Sequence, residues 1–429
     1  MFVLRSRNCT KEENEAEPEE EIQEKVETSV FLKWMYLQQH WILRTILETS
    51  LFFIFSVTVL YLWPSKFTPV AYRFPDSPPL TGALQPNSEL AKAKQGFKGE
   101  LNGPEAIVSH EGVLYTGSAD GKVLSIHNGE ILVLAQFGPK NPCATKYYEE
   151  ICGRPLGMAV SPFNGHLWVI DAIFGLYSVN MTTGEFKRKV SADQLIAGRY
   201  SKFFNDVSIS PVNGRVYISD TSTKWRRTDF FVLGLETNPD GRILEYNPAT
   251  GDLIEVCTGV SPNGIQITSD GSAILISDTS FATISKCQLI GKTRGKVEVV
   301  MKNMPGFPDN IRASPRGTHW VALTAVRQPT ILIELVSPCP FLKEMIYKLS
   351  MIWKSELVRP VRDMIPKGSK PMNKKYGLII EINEKGHVIR SLHDNSGKIS
   401  SISHVQESED GVLYLGSATN DYIGILQLS

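Results

Sequence analysis

The chain has no net charge: 45 basic residues balance 45 acidic ones over 429 positions. Without a basic excess there is no electrostatic footprint for nucleic acid, and that class of partner is excluded. Large apolar groups are missing from one stretch, KEENEAEPEEEIQEKVE, Lys11 to Glu27. Such a segment cannot bury enough surface to offset its chain entropy, so disorder is expected there. Charge is missing from the end of the next stretch, WILRTILETSLFFIFSVTVLYLW, from Thr49 to Trp63. Counted from Trp41, the run reaches the ~20 apolar residues that cross a bilayer. Arg44 and Glu48 lie near one end, where Arg44 can snorkel, and Tyr61 and Trp63 suit the opposite interface. A leader-peptidase site is missing as well: no A-x-A-like sequence follows, and about 40 residues precede the run. Residues 41–63 therefore read as a retained signal-anchor. A cleaved leader and a buried core helix are the competing readings.

Basic residues do not orient this span, since Lys33 and Arg44 precede it and Lys66 and Arg73 follow. Two features of the C-terminal part do. Asn180 opens the glycosylation acceptor NMT. Cys143 and Cys152 bracket a short loop, as a disulfide in an oxidising compartment would. The expectation is a single-pass type II membrane glycoprotein. Residues 1–40 would form a disordered cytoplasmic tail, and the C-terminal domain would be lumenal or extracellular, at the plasma membrane or the endoplasmic reticulum. Cys9 then stays on the cytoplasmic side, and Cys257, Cys287 and Cys339 are expected as buried free thiols.

Residues 64–94, rich in proline and polar groups, read as a linker. One pattern then returns: a glycine turn, an alternating apolar strand, a polar turn and a second strand. It begins at Gly112, Gly165, Gly214 (with a partner at Gly241), Gly271, Gly317 (with a partner at Gly377) and Gly411. A recurrence of roughly 50 residues matches one four-stranded blade. The expected fold is all-β: a six-bladed β-propeller over residues 95–429. A sandwich of accidental regularity is the alternative. An insertion near residues 338–370 lengthens the fifth unit. In it, PFLKEMIYKLSMIWKSELV places Leu342, Met345, Ile346, Leu349, Ile352 and Trp353 at helical spacing. That helix packs on one end of the propeller, covers the channel or touches the membrane; the spacing does not choose.

Polar residues recur just ahead of the strands that should line the channel. NGPEAIV offers Glu105, FFNDVSIS offers Asn205 and Asp206, SPNGIQIT offers Asn263, and FPDNIRAS offers Asp309 and Asn310. Distant in sequence, they converge on the axis if the units are blades. Two carboxylates with several amide oxygens, and no Cys or His, form a donor set of the calcium type.

These residues carry a resemblance. From the membrane span onward the chain resembles the strictosidine synthase-like six-bladed propellers, through CGRPLGM at Cys152, FFNDVSIS at Phe203, SDTSTKWRRTDF at Ser219, DGRILEYNPATG at Asp240, NMPGFPDNIR at Asn303 and GVLYLGS at Gly411. More distantly, the layout is similar to paraoxonases and gluconolactonase propellers, which hold an axial calcium. The resemblance implies calcium ligands at Glu105, Asn205, Asn263, Asp309 and Asn310, with Asp206 behind them orienting a ligand amide. It implies arylesterase- or lactonase-like hydrolysis of carboxylic esters, with calcium as Lewis acid. Three departures stand out. Leu156 occupies the place of the paraoxonase histidine, and Ala106 that of a second acidic residue. His404 replaces the glutamate that strictosidine synthase uses to deprotonate an amine, which argues against that condensation and makes His404 a candidate hydrolytic base. Trp225, Arg226 and Arg227, in KWRR, are candidates for gripping anionic or aromatic substrates at the channel mouth. The alternative function is a non-catalytic membrane propeller that binds protein partners, its calcium purely structural.

Overall fold

The computed structural model describes residues 19–139, 143, 149–330, 332–354 and 375–428. Two compact units divide the chain at Lys66.

The first unit is a single helix, Glu19–Leu62. Its apolar side chains are exposed all round, with Phe52, Phe53 and Leu62 among the most open. A helix that is apolar on every side suits lipid rather than a packed core, and Glu27–Leu62 is long and apolar enough to cross a membrane. Several of its polar groups are satisfied within the helix, as suits lipid. The Thr45, Thr49, Ser56 and Thr58 hydroxyls donate to carbonyls one turn back at 2.8–2.9 Å, and Arg44 Nε meets Glu48 Oε1 at 2.8 Å. The helix begins well before Trp41, so Glu19 to His40, expected to be part of a disordered tail, are helical. Glu, Gln and Lys are good helix formers, and extending a helix already nucleated costs little. Residues 1–18 lie outside the described part.

The second unit, Phe67–Ser429, is a six-bladed β-propeller. Blades 1 to 5 each run outward through four antiparallel strands, with innermost strands Ile107–His110, Pro155–Val160, Phe203–Ile209, Pro262–Ile267 and Gly306–Ala313. Blade 6 takes three strands from the C-terminal end, starting with His404–Glu407, and its outermost strand from Lys94–Gly96. That join closes the ring between the two ends of the domain. The core lies between neighbouring blades: Ile170, Phe204, Ile218 and Leu244 fill one such space, and Leu275, Ile284, Val321 and Ile380 another.

The stretch expected to be a linker is a strap. Phe67, Leu90 and Ala93 are buried. Thr68 N donates to Glu236 Oε1, Asn303 Nδ2 to Asp76 O, Asn87 Nδ2 to Ser391 O, and Arg327 reaches Pro75 O. Its prolines limit the entropy lost when it is laid down on the surface. The inserted helix is present as Pro340–Lys354; residues 355–374 lie outside the described part. Its expected apolar stripe divides. Leu342 and Ile346 pack against Phe67, Trp225 and Tyr347, whereas Leu349, Ile352 and Trp353 are exposed.

Cys143 and Cys152 are joined, with Cα atoms 5.2 Å apart. Cys257 and Cys287, expected as free thiols, are joined too and tie blade 3 to blade 4. Their 30-residue separation hides what the ring creates, since adjacent blades bring their strands side by side. Cys339 is free and partly buried.

Candidate functional site

Four innermost strands share one irregularity. Pairing with the second strand jumps between Pro155 and Met158, Phe204 and Val207, Pro262 and Ile265, and Pro308 and Ile311. Each jump leaves two residues outside the ladder: Leu156 and Gly157, Asn205 and Asp206, Asn263 and Gly264, Asp309 and Asn310. A bulge of this kind re-aims side chains and locally ends pairing. Asn205, Asp206, Asn263, Asp309 and Asn310 thus lie inside the strands, not ahead of them as the sequence suggested, whereas Glu105 does stand just ahead of Ile107–His110. Two glycines let successive bulges nest: a Cβ on Gly157 would overlap Asp206, and one on Gly264 would overlap Asn310.

The bulges bring the polar groups together near the axis. Asn310 Nδ2 donates to Glu105 Oε1 at 2.9 Å, linking blade 5 to the segment leading into blade 1. Asn263 lies close enough to act on the Asp309 carboxyl, and its Nδ2 donates to Thr279 Oγ1 at 3.1 Å. Asn310 N donates to Ser403 O, and Ser403 Oγ donates to Glu105 O, both at 2.9 Å. Glu105, Asp309 and Asn310 are 4%, 8% and 1% exposed. Glu105, Asn263, Asp309 and Asn310 therefore form one cluster. Asn205 is buried at the matching position of blade 3.

The cluster is short of partners. Glu105 Oε2, Asn263 Oδ1 and Asn310 Oδ1 are buried and accept no hydrogen bond. A buried oxygen left unpaired costs about 1–3 kcal/mol, and such groups are rare without a reason. Burial pushes the Glu105 carboxyl up to about 7; Arg154 opposes the shift and Asp206 adds to it. Burial, then the nearby Glu105 charge, raises Asp309 well above the carboxylate range, against the opposing effect of Asn263. Two carboxylates and two unsatisfied amide oxygens are a hard donor set short of positive charge, of the chemistry that suits a hard cation. Among the described residues no three His, Cys, Asp or Glu side chains converge as metal ligands, so the donor set is not of the zinc or iron type.

Asp206 serves this cluster differently from expectation. It takes both Arg312 nitrogens, at 2.7 and 2.6 Å, and accepts the Ile265 N–H at 2.8 Å. It holds the backbone just past Asn263 rather than a ligand amide, because Arg312 occupies its oxygens. Arg312 itself escaped the sequence reading. The signal was there: strand side chains alternate, so Asn310 and Arg312 share a face.

His404 lies on the innermost strand of blade 6 with no exposed surface and no partner on either ring nitrogen. Burial, then Arg312, holds its pKa well below the usual imidazole value, so the ring is neutral. A general base must reach its substrate; no catalytic step is assigned to this sealed ring.

The KWRR residues are not free to grip a substrate. Trp225 is 2% exposed, packs on Phe67 and Tyr347, and donates Nε1 to Glu236 Oε2 at 2.5 Å. Lys224 pairs with Glu236, Arg227 with Glu149, and Arg226 with Glu150 at 2.6 Å. Acidic partners 11 to 78 residues away were invisible to a reading of the local motif.

A six-bladed propeller with a buried cluster of acidic and amide oxygens at its axis defines the class. A family model described as strictosidine synthase matches residues 205–292, and one described as strictosidine synthase-like, N-terminal, matches residues 82–126. The chain is 39% identical to the adipocyte plasma membrane-associated protein of Gallus gallus, covering 87% of this chain and 86% of that one. Against the protein of that name from Danio rerio it is 38% identical, with 87% of each covered. The chain belongs to the adipocyte plasma membrane-associated protein family, within the strictosidine synthase-like propellers. A solved gluconolactonase from Xanthomonas campestris shares the fold at TM-score 0.52 and 12% identity, over 85% of this chain and 99% of that one.

Proposed function

We propose that the protein is a membrane-anchored calcium-binding propeller that hydrolyses carboxylic esters or lactones at its axis. The observation that carries this reading is the set of orphaned buried oxygens, Glu105 Oε2, Asn263 Oδ1 and Asn310 Oδ1, beside the Asp309 carboxylate. Glu105, Asn263, Asp309 and Asn310 would hold the ion, with Asn205 completing the ring from blade 3. Bound calcium supplies a Lewis acid for an ester carbonyl. The protein's own part is positioning. Asp206 and Arg312 lock the blade 4 and blade 5 bulges, and the Asn310–Glu105 contact fixes the spacing across the axis. The lactonase named among the structures of this fold agrees in substrate class.

The low exposure of Glu105, Asp309 and Asn310 supports the second reading, a structural ion in a propeller that binds protein partners. Hydrolysis of an aryl acetate by the full-length protein, with and without calcium chelation, separates the two. Chelator-sensitive turnover supports the hydrolase. Its absence in protein that still binds calcium supports the structural ion.

Residues 41–63 serve as a signal-anchor in this reading, with the propeller lumenal or extracellular. Two disulfides, and an acceptor Asn180 in a surface turn, agree with that side. Loss of mobility shift on glycosidase treatment, in an Asn180→Gln variant compared with wild type, tests the topology.

A further inference from the structure

One end of the propeller carries an apolar face with an inverted burial pattern. On helix Pro340–Lys354, Lys343 and Lys348 are turned inward at 0% and 5% exposure, while Leu349 and Met351 stand out at 55% and 48%. Lys343 Nζ is satisfied inside, donating to Val70 O and Thr237 Oγ1 at 2.6 Å each. Packed beside this helix is Phe230–Glu236, with Phe230 and Phe231 at 66% and 49%; next to it Leu335 stands at 60%. A shared core of Trp225, Val232, Val336 and Tyr347 holds these pieces together. Clustered exposed apolar groups of this kind mark an interaction surface.

Both insertions leave their blades at the axial-cluster end. Phe203 pairs with Ser222, so the chain from Thr223 to Asp240 departs beside Asn205. Gly306 pairs with Val326, so the blade 5 insertion departs at the end that holds Asp309.

The path of the chain identifies the occupant. Phe67 belongs to the same core and stacks on Tyr347, with ring centroids 4.6 Å apart. At ~3.5 Å per residue, the segment from Trp63 to Phe67 reaches at most about 14 Å. Whatever membrane holds the anchor therefore lies within that distance of Phe67, at the root of the apolar face. We propose that the face formed by Phe230, Phe231, Leu335 and Leu349 rests in the bilayer that the anchor spans, so that the axial end of the propeller is turned toward the lipid surface. This rests on the anchor reading above. Aromatic and leucine side chains on short helices are the groups that settle at the headgroup boundary, about 5–10 Å deep.

The test uses the full-length protein in phosphatidylcholine vesicles, in a Cys9→Ser, Cys339→Ser background. A fluorophore is placed at Phe231→Cys, at Leu349→Cys or, on the opposite end of the propeller, at Lys385→Cys. All three positions are exposed, so the core is left intact. Lipids carrying a nitroxide on a shallow acyl carbon should quench the labels at 231 and 349 at least about twofold more than the label at 385, as expected for a shallow interfacial seat. Equal, weak quenching at all three positions in protein that floats with the vesicles overturns the docking and leaves the anchor standing. Labels at 231 and 349 shielded from aqueous iodide but untouched by the lipid nitroxide would mean a protein partner or second copy, and also overturn it. Protein that fails to float with the vesicles removes the anchor reading and the docking together.

Discussion

Two groups of polar side chains sit at one end of this propeller and differ in whether each finds a partner. Around KWRR every cation meets an acid: Lys224 with Glu236, Arg226 with Glu150, Arg227 with Glu149. On the axis, Glu105, Asn263 and Asn310 each keep an oxygen without a donor. Buried charge is expensive unless compensated. A paired cluster is therefore complete as it stands and serves to hold loops in place, whereas an unpaired one asks for a ligand. Of two distinctive runs in the sequence, KWRR is held in ion pairs, and NMPGFPDNIR holds the candidate site.

The comparison can be broken first from its structural side. Trp225→Ala empties a packed corner and removes the donor to Glu236 Oε2, and should destabilise the propeller by about 3–5 kcal/mol. Thermal unfolding should show the same loss with calcium and with chelator; a loss seen only with calcium would place Trp225 in the ion site. A somewhat smaller effect is expected from Cys257→Ala, which opens the bond between blades 3 and 4. About 3.6 kcal/mol is the scale for a loop of this length, again independent of calcium, and urea unfolding of the variant against wild type measures it.

Asp309→Ala sharpens the contrast from the other side. At calcium a hundredfold above the dissociation constant, wild type should gain about 2.7 kcal/mol, and the variant should gain little. The smallest effect concerns pH. The folded-state pKa of Glu105 is raised, to about 7, above its ordinary value near 4.5. The ion-free folded state therefore holds more protons than the unfolded one between those values, and its stability falls as pH rises through that window. Protons and calcium compete for the same carboxylate, so calcium affinity should weaken as pH drops below about 7, by up to about tenfold per unit. Affinity that is flat from pH 8 to pH 5.5 would remove Glu105 from the ligands.

Much of the fold was legible because the propeller repeats itself. Each glycine turn from Gly112 to Gly411 does mark the start of a second or third strand of a blade. Of the candidate site, Glu105, Asn263, Asp309 and Asn310 could be read because each stands before an apolar strand residue that had to face a neighbouring blade. The bulges could not, since they are a property of pairing between strands. Long-range pairings escaped for the same reason: Arg312 on Asp206, Cys257 with Cys287, and the strap from Phe67 to Ala93, whose polar composition hid two buried anchors in Phe67 and Leu90. Lys343 and Lys348 inverted the reading of their helix because backbone and side-chain acceptors, rather than water, receive Lys343.

The most direct test of the axial site is calorimetric titration of calcium into chelator-stripped full-length protein, with the thermal midpoint followed in parallel. The account predicts saturable binding of a single ion and a midpoint that rises with calcium. No heat of binding, together with a midpoint indifferent to calcium and chelator, would contradict it and leave the Asp309–Asn310 bulge a purely structural irregularity.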